Sequence, residues 1–280
     1  MWKIDPPVHT AAFSYATCTS RIRNRELRER LDQAADEVAA SAAKYESAAE
    51  SSELYLLDQD ELSVASLTGV EMIAIYKYRM AKKKAVGRFI YDELMLAAPD
   101  GRCPMCGQRT VSTLDHVLPK TLYPALSVTP LNLIPACSDC NHIKSDAIPV
   151  SAENEPIHPY YDDLDGDPWL HAAVVHTSPA AIVFSVAAPI NWPDSLKNRV
   201  ATHFRTFKLA PLYASQAAQE LNSIKHYLIQ LHARGGGDAV RQHLSGQANS
   251  RRMAYANSWQ TATYTALADD AWFYQGGFAA

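Results

Sequence analysis

Apolar residues recur at helical spacing through much of the first hundred positions. Between residues 20 and about 50 they return at steps of three to five, with charged side chains between them, and this pattern predicts one long amphipathic helix. Thr68 followed by Glu71 is the signature of a capping box, so a second helix is predicted to begin there and to continue to Lys84. A further helix is predicted over residues 88–97.

The second half of the chain alternates between β and helical patterns. Residues 172–186 are rich in β-branched and apolar side chains, broken by Ser178-Pro179, and predict a short hairpin. Helical periodicity then returns over about 193–208, 211–233 and 249–268. The run Gly235-Gly236-Gly237 separates the last two segments.

The middle of the chain has neither pattern. After residue 101 helical periodicity disappears and Cys, Pro, Asp and Asn accumulate up to residue 150. We therefore predict an α+β protein of three regions: a helical region at 1–98, a small module at 99–150, and a loop, hairpin and helical region at 151–280.

Composition restricts the class of protein. The 280 residues are 48% hydrophobic and 20% charged, which excludes global disorder. The net charge is −4, yet residues 76–149 carry 10 basic and 6 acidic side chains, and residues 195–260 carry 9 and 2. These blocks could form a phosphate-binding face or solvated helix faces. The longest apolar run, about residues 179–190, is too short to span a bilayer, so no membrane association is expected.

Four of the five cysteines form two closely spaced pairs. Cys103-Pro-Met-Cys106-Gly and Cys137-Ser-Asp-Cys140 each place two thiolates within reach of one ion, and two such pairs predict a tetrahedral Zn²⁺ site with a structural role. Paired thiols of this kind are typical of a reducing compartment, so we expect a cytoplasmic protein.

The residues around these cysteines resemble the HNH endonuclease family. The matching elements, in chain order, are the first cysteine pair, Leu-Asp-His at 114–116, Asn-Leu-Ile-Pro at 132–135, and Cys-Asn-His-Ile-Lys at 140–144. The resemblance covers about a sixth of the chain. It implies a ββα-metal module held together by the zinc, between mainly helical flanking regions.

Specific roles follow from the resemblance and agree with the chemistry of the side chains. His116 corresponds to the general base, and imidazole titrates near neutral pH. Asp115 is an oxygen ligand for Mg²⁺ or Mn²⁺, and Asn132 corresponds to the residue that orients the loop carrying the base. Asn141 occupies the position of the second metal ligand. Many relatives have histidine there, and His142 is the alternative ligand in this chain.

The resemblance also implies the reaction and its partners. We expect cleavage of DNA phosphodiester bonds to 5′-phosphate and 3′-hydroxyl ends. The long helical flanks resemble nucleases of bacterial antiviral defence systems, which suggests an ATPase or another defence protein as a partner. The alternative is a non-catalytic zinc module that binds nucleic acid or a protein. The candidate phosphate contacts are Lys82, Lys83, Lys84, Lys120 and Lys144.

Overall fold

The computed structural model describes residues 2–280. Within this range the chain divides into two compact units, Trp2–Asp163 and Leu164–Ala280. Helices dominate both units, and each unit contains one two-stranded antiparallel sheet, so the predicted α+β class is confirmed. From residue 2 onwards, the predicted regions 1–98 and 99–150 both lie in the first unit, and the region 151–280 begins in it.

The first unit packs helices around a small sheet. Its helix α2 buries one stripe of side chains, among them Leu31, Val38 and Tyr45, at the spacing that the sequence predicted. This stripe joins a core to which every helix from α1 to α4 contributes. The elements are α1 (Ala11–Thr19), α2 (Arg25–Glu50), α3 (Gly69–Ile75), α4 (Arg88–Leu96), α5 (Ser138–Lys144), β1 (Thr113–His116) and β2 (Leu133–Ala136).

The start of α3 is fixed by the predicted capping box. The Thr68 hydroxyl oxygen accepts from the Glu71 amide, and the Glu71 carboxylate accepts from the Thr68 amide. Arg30 pairs with the same carboxylate at 2.6 Å, which holds the pKa of Glu71 at about 2. The predicted end of this helix at Lys84 is wrong, because α3 ends at Ile75 and a π-helical segment, Tyr76–Ala81, follows it.

The second unit contains a hairpin and a group of helices. The strands pair from Leu170 with Val186 to Val175 with Ala181, which confirms the predicted hairpin. Helices α7 and α8 pack on the two strands. The elements are β3 (Leu170–Val175), β4 (Ala181–Val186), α6 (Asp194–Thr206), α7 (Leu209–Ala254), α8 (Trp259–Asp269) and α9 (Ala271–Tyr274).

Helix α7 is folded back on itself at Gly236. This residue has φ 65° and ψ −167°, outside the helical region. The rings of Tyr227 and His243 lie 4.9 Å apart, and Glu220 lies 3.8 Å from Arg251. Because these pairs are nearly symmetrical about Gly236, the two arms of α7 run antiparallel. The prediction that the three glycines separate two helices is confirmed.

The predicted helix over residues 249–268 has wrong boundaries. Its first residues complete α7, and α8 begins only at Trp259. The buried side chain of Asn257 holds the turn between them. Its Oδ1 accepts from the Trp169 backbone amide, and its Nδ2 donates to the Leu164 carbonyl. Among the described residues, no helix combines the length and the apolar character that a membrane crossing needs.

Candidate functional site

The four paired cysteines converge in the first unit. Their Sγ atoms all lie within 4.8 Å of one another, and all four residues are buried. A tetrahedral zinc ion with Zn–S bonds of about 2.3 Å separates its sulfur ligands by roughly 4 Å. The cluster is therefore placed to bind a metal ion, and its chemistry is consistent with structural zinc.

Backbone turns position the four cysteine sulfurs. Gly107 adopts φ 60°, which allows its amide to donate to the Cys103 carbonyl at 2.7 Å. The Arg109 amide points at the Cys106 sulfur, and the Cys140 amide points at the Cys137 sulfur, both at 3.4 Å. These N–H groups favour the thiolate form that a metal requires.

The cysteine cluster connects to a ββα unit. Strands β1 and β2 pair antiparallel, with Asp115 opposite Ile134 and His116 opposite Leu133. Helix α5 follows β2 directly, and Cys137 is its N-cap. The helix starts at Ser138, so Asn141 lies within it. Asp115 and His116 are the last two residues of β1.

His116 is buried and held by one hydrogen bond. Its Nε2 lies 3.0 Å from the Ser127 carbonyl oxygen, and a carbonyl can only accept. Nε2 therefore carries the proton, and Nδ1 keeps its lone pair in the neutral ring. Burial, with a contribution from Lys120, lowers the pKa of His116 to about 3. The imidazole is thus neutral, with its proton on Nε2 and none on Nδ1.

Asn132 fixes the chain that follows His116. Its Oδ1 accepts from the Leu118 amide at 2.8 Å, and its Nδ2 donates to the Leu118 carbonyl at 3.0 Å. The side chain is completely buried. Leu118 is two residues beyond His116, so this amide restrains the backbone next to the imidazole.

Asp115 is a buried carboxylate with an unsatisfied oxygen. Its Oδ2 makes no hydrogen bond. The Lys144 ammonium lies 3.7 Å from it, within the range of an ion pair but too far for a hydrogen bond. Burial raises the pKa of Asp115 to about 6, against the effect of Lys144. A buried oxygen without a hydrogen-bond partner suits a hard divalent ion, so the residue fits the ligand role.

Lys144 does not lie on the surface. It is buried, and its ammonium donates to the His116 carbonyl at 2.6 Å. Lys144 is therefore not exposed for the phosphate contact that the sequence suggested. Lys144 instead ties α5 to the end of β1 and supplies a positive charge beside Asp115.

The two candidates for the second metal ligand differ in their placement on α5. Asn141 is half-buried, whereas His142 is exposed. Asn141 and Lys144 are three residues apart and share a helix face, and Lys144 reaches Asp115. Asn141 is thus on the face of α5 directed towards β1.

The remaining lysines lie where a polyanion could reach them. Lys82, Lys83 and Lys84 are exposed just after the π-helical segment. Lys120 is half-buried, four residues beyond His116, and its ammonium lies 5.6 Å from the centre of the Tyr76 ring.

Three residues outside the recognised motif support the loop around Asn132. The Tyr160 hydroxyl donates to the Leu133 carbonyl at 2.7 Å, and the Tyr45 hydroxyl donates to the Leu131 carbonyl at 3.3 Å. His158 lies 2.9 Å from the Tyr45 hydroxyl. No local pattern in the sequence predicts these contacts, because each joins residues that lie far apart in the chain.

An HNH endonuclease domain matches residues 103–147, the segment that contains the four cysteines and the ββα unit. The chain belongs to the HNH endonuclease family. Over 234 residues it is 30% identical to Protein ea31 of Escherichia phage lambda, a match that covers 79% of this chain and 79% of that protein. No solved structure matches the chain. The family supports a nuclease-type function and implies binding of nucleic acid.

Proposed function

We propose that the protein is a metal-dependent endonuclease that hydrolyses phosphodiester bonds of DNA, with His116 as the general base. The observation that carries this proposal is the state of the His116 ring. Its Nε2 is engaged by the Ser127 carbonyl at 3.0 Å, so the lone pair on Nδ1 is the group that can receive a proton.

The reaction is a substitution at phosphorus. Nδ1 of His116 takes a proton from a water molecule as the water oxygen forms a bond to phosphorus. The bond from phosphorus to the 3′ oxygen breaks, and that oxygen leaves with its electron pair and takes up a proton from solvent. Asn132 keeps Nδ1 in position through the Leu118 backbone. The products carry a 5′-phosphate and a 3′-hydroxyl group.

Asp115 and Asn141 would hold the Mg²⁺ or Mn²⁺ ion. The support is the unsatisfied Oδ2 of Asp115 and the position of Asn141 on the same helix face as Lys144. A divalent ion supplies stabilisation of the negative charge that develops on the phosphate and the leaving oxygen. The buried Lys144 ammonium adds positive charge on the same side of Asp115.

The substrate would be bound mainly through its backbone. Exposed Lys82, Lys83 and Lys84, with Lys120 nearer the imidazole, offer charge to phosphates without reading base sequence. We expect replacement of the three exposed lysines by alanine to raise KM and to weaken the salt dependence of binding.

Plasmid nicking with Mg²⁺ or Mn²⁺ tests the assignment. We expect His116→Ala to reduce kcat by about 10²–10⁴-fold, the usual contribution of a general base. Asn141→Ala should raise the Mg²⁺ concentration needed for half-maximal nicking. His142→Ala, which changes an exposed neighbour on the same helix, serves as the matched control and should leave both values unchanged.

Three other outcomes of these assays would change the assignment. Equal cutting by wild type and His116→Ala would rule out His116 as the base. If His142→Ala, and not Asn141→Ala, raises the Mg²⁺ concentration needed for half-maximal nicking, His142 is the second metal ligand. Salt-sensitive DNA binding without cleavage under either ion would favour a non-catalytic zinc module.

A role in bacterial defence is the finer part of the proposal. It is supported by the long helical regions on both sides of the HNH domain, which resemble nucleases that act beside an ATPase. The expected observation is weak nicking by the purified chain and co-purification with a larger ATPase, and full activity of the chain alone would contradict it.

A further inference from the structure

A buried tyrosine outside the family match contacts the candidate base. The ring centres of Tyr76 and His116 lie 4.5 Å apart, with the ring planes at 75°. This is an edge-to-face contact between two buried rings. Tyr76 lies in the first unit, well before residue 103, where the HNH match begins.

The same tyrosine ring also contacts a candidate phosphate-binding group. The Lys120 ammonium lies over the ring, 5.6 Å from its centre, within the range of a cation–π interaction. Tyr76 therefore links two groups that the proposed reaction needs together, an imidazole and a positive charge. Of the lysines that the sequence singled out, Lys120 contributes to lowering the pKa of His116, as does Lys144.

One hydrogen bond cannot fix the plane of an imidazole ring. The contact between Nε2 and the Ser127 carbonyl restrains one atom of His116, and the ring can still tilt about that point. A second contact against the ring removes this freedom. Tyr76 supplies it, because its buried ring lies edge-to-face against the imidazole.

The local backbone explains how Tyr76 reaches the site. It is the first residue of the π-helical segment Tyr76–Ala81, and such segments occur often at functional sites. Within the segment, Tyr76 and Met80 are buried while Lys77 and Tyr78 are exposed. The buried face of this π-helical segment thus contacts the imidazole through Tyr76, and its exposed face presents the positive charge of Lys77.

We propose that Tyr76 is a positioning residue of the nuclease site, which sets the plane of the His116 ring and the place of the Lys120 ammonium together. The proposal rests on the proposed function for the importance of those two groups. The positioning itself is a property of the folded chain and can be measured without catalysis.

The test compares variants that keep or remove the aromatic ring. Tyr76→Phe keeps both ring contacts, and Tyr76→Leu removes them while filling much of the space. Tyr76→Met is a second ring-free variant with a more adaptable side chain, for use if the leucine variant does not fold. Tyr264→Leu is the matched control, because Tyr264 is a buried tyrosine beneath Arg251 in the second unit.

Two readouts are needed. The first is NMR of ¹⁵N-histidine-labelled protein, which reports the tautomer of His116 and the exchange of its Nε2 proton. The second is nicking, analysed as kcat and KM. We expect Tyr76→Phe to resemble wild type in both. Tyr76→Leu should show faster exchange of the Nε2 proton or a mixed tautomer, and a kcat lowered by about 10–100-fold, as for a misplaced catalytic group.

Each outcome decides the proposal. Unchanged His116 signals in a folded ring-free variant would overturn it, as would a change of the same size in Tyr264→Leu. If wild type does not nick DNA but His116 signals change in the ring-free variants alone, the proposed function fails and the positioning role stands. If nicking is normal in all variants and His116 signals are unchanged, the positioning role fails and the nuclease assignment stands.

Discussion

At the scale of single residues, the candidate site depends on polar side chains that bind backbone groups. Asn132 holds Leu118 through two hydrogen bonds, and Tyr160 and Tyr45 bind the carbonyls of the residues on either side of Asn132. Each of these contacts restrains main chain near His116. Loss of one should therefore affect the geometry of the base as well as stability.

We expect Asn132→Ala to abolish detectable nicking and to lower the free energy of unfolding by about 2–4 kcal/mol, because the buried amide and carbonyl of Leu118 lose their partners. Nicking assays together with urea denaturation check both effects. Activity close to that of wild type in the folded variant would mean that the loop keeps its geometry without the amide.

The control is an asparagine with the same kind of role elsewhere. Asn257 is also buried, in the second unit, and it binds backbone groups through both Oδ1 and Nδ2 of its side chain. Asn257→Ala should reduce stability by a similar amount while the folded fraction keeps its nicking activity. Equal loss of activity in both variants would show that instability alone explains the result for Asn132.

The sequence names candidate site residues but does not predict the environment of each side chain. The spacing of Asn141 and Lys144 predicts that both lie on one face of a helix, and the structure agrees. It does not predict that the Lys144 ammonium is buried beside Asp115, since this depends on how α5 packs on β1. Tyr76 carries no local signal either, because its partner His116 is forty residues away in the chain.

At the scale of elements, the sequence predicts a helix boundary correctly where one or two residues determine the local backbone conformation. The capping box at Thr68 and the glycines at 235–237 were readable in the sequence because they act over a few neighbouring residues. The π-helical turn after Ile75 and the end of α7 at Ala254 were not. Both depend on tertiary contacts, the second on the Asn257 amide.

The fold of α7 yields a paired prediction. Gly236 has φ 65° and ψ −167°, a conformation that is essentially restricted to glycine. We expect Gly236→Ala to lower the free energy of unfolding by about 1–3 kcal/mol. Gly246 lies within the second arm, and a Cβ there would meet nothing within 4 Å, so Gly246→Ala should raise the free energy by about 0.5–1 kcal/mol. Chemical denaturation of both variants provides the measurement.

The pair separates backbone strain from a general effect of adding a methyl group. Destabilisation by both substitutions would mean that the arms of α7 cannot accept any added carbon. A neutral effect at Gly236 would mean that the chain reverses without the left-handed conformation, and that the antiparallel arms do not depend on it.

At the scale of the whole molecule, the candidate site lies entirely within one unit. Every residue assigned to metal binding, proton transfer or the support of the base lies in Trp2–Asp163. The second unit carries nine basic side chains between residues 195 and 260. Charges in this pattern are typical of solvated helix faces as well as of phosphate-binding surfaces.

The metal cluster makes a prediction about how stability is distributed between the units. A structural zinc contributes about 10–16 kcal/mol of binding free energy in small zinc domains. The four cysteines tie the turn at 103–106 to the turn at 137–140 only through such an ion, whereas Leu114 and Leu133 of the two strands join the core of the first unit. Removing the metal with a strong chelator should therefore unfold the segment around residues 103–147. The unit Leu164–Ala280 has its own hydrogen-bonded hairpin and helices and should stay folded.

Metal analysis followed by hydrogen exchange with mass spectrometry tests this. We expect one zinc per chain as purified, with chelation exposing amides of residues 103–147 while those of α7 and α8 keep their protection. Cys103→Ser should reproduce the effect of the chelator. Cys18→Ser changes the fifth cysteine, which is buried outside the cluster, and should retain the zinc. Unaltered protection of the module after complete loss of metal would show that its four cysteines are not needed to hold the fold.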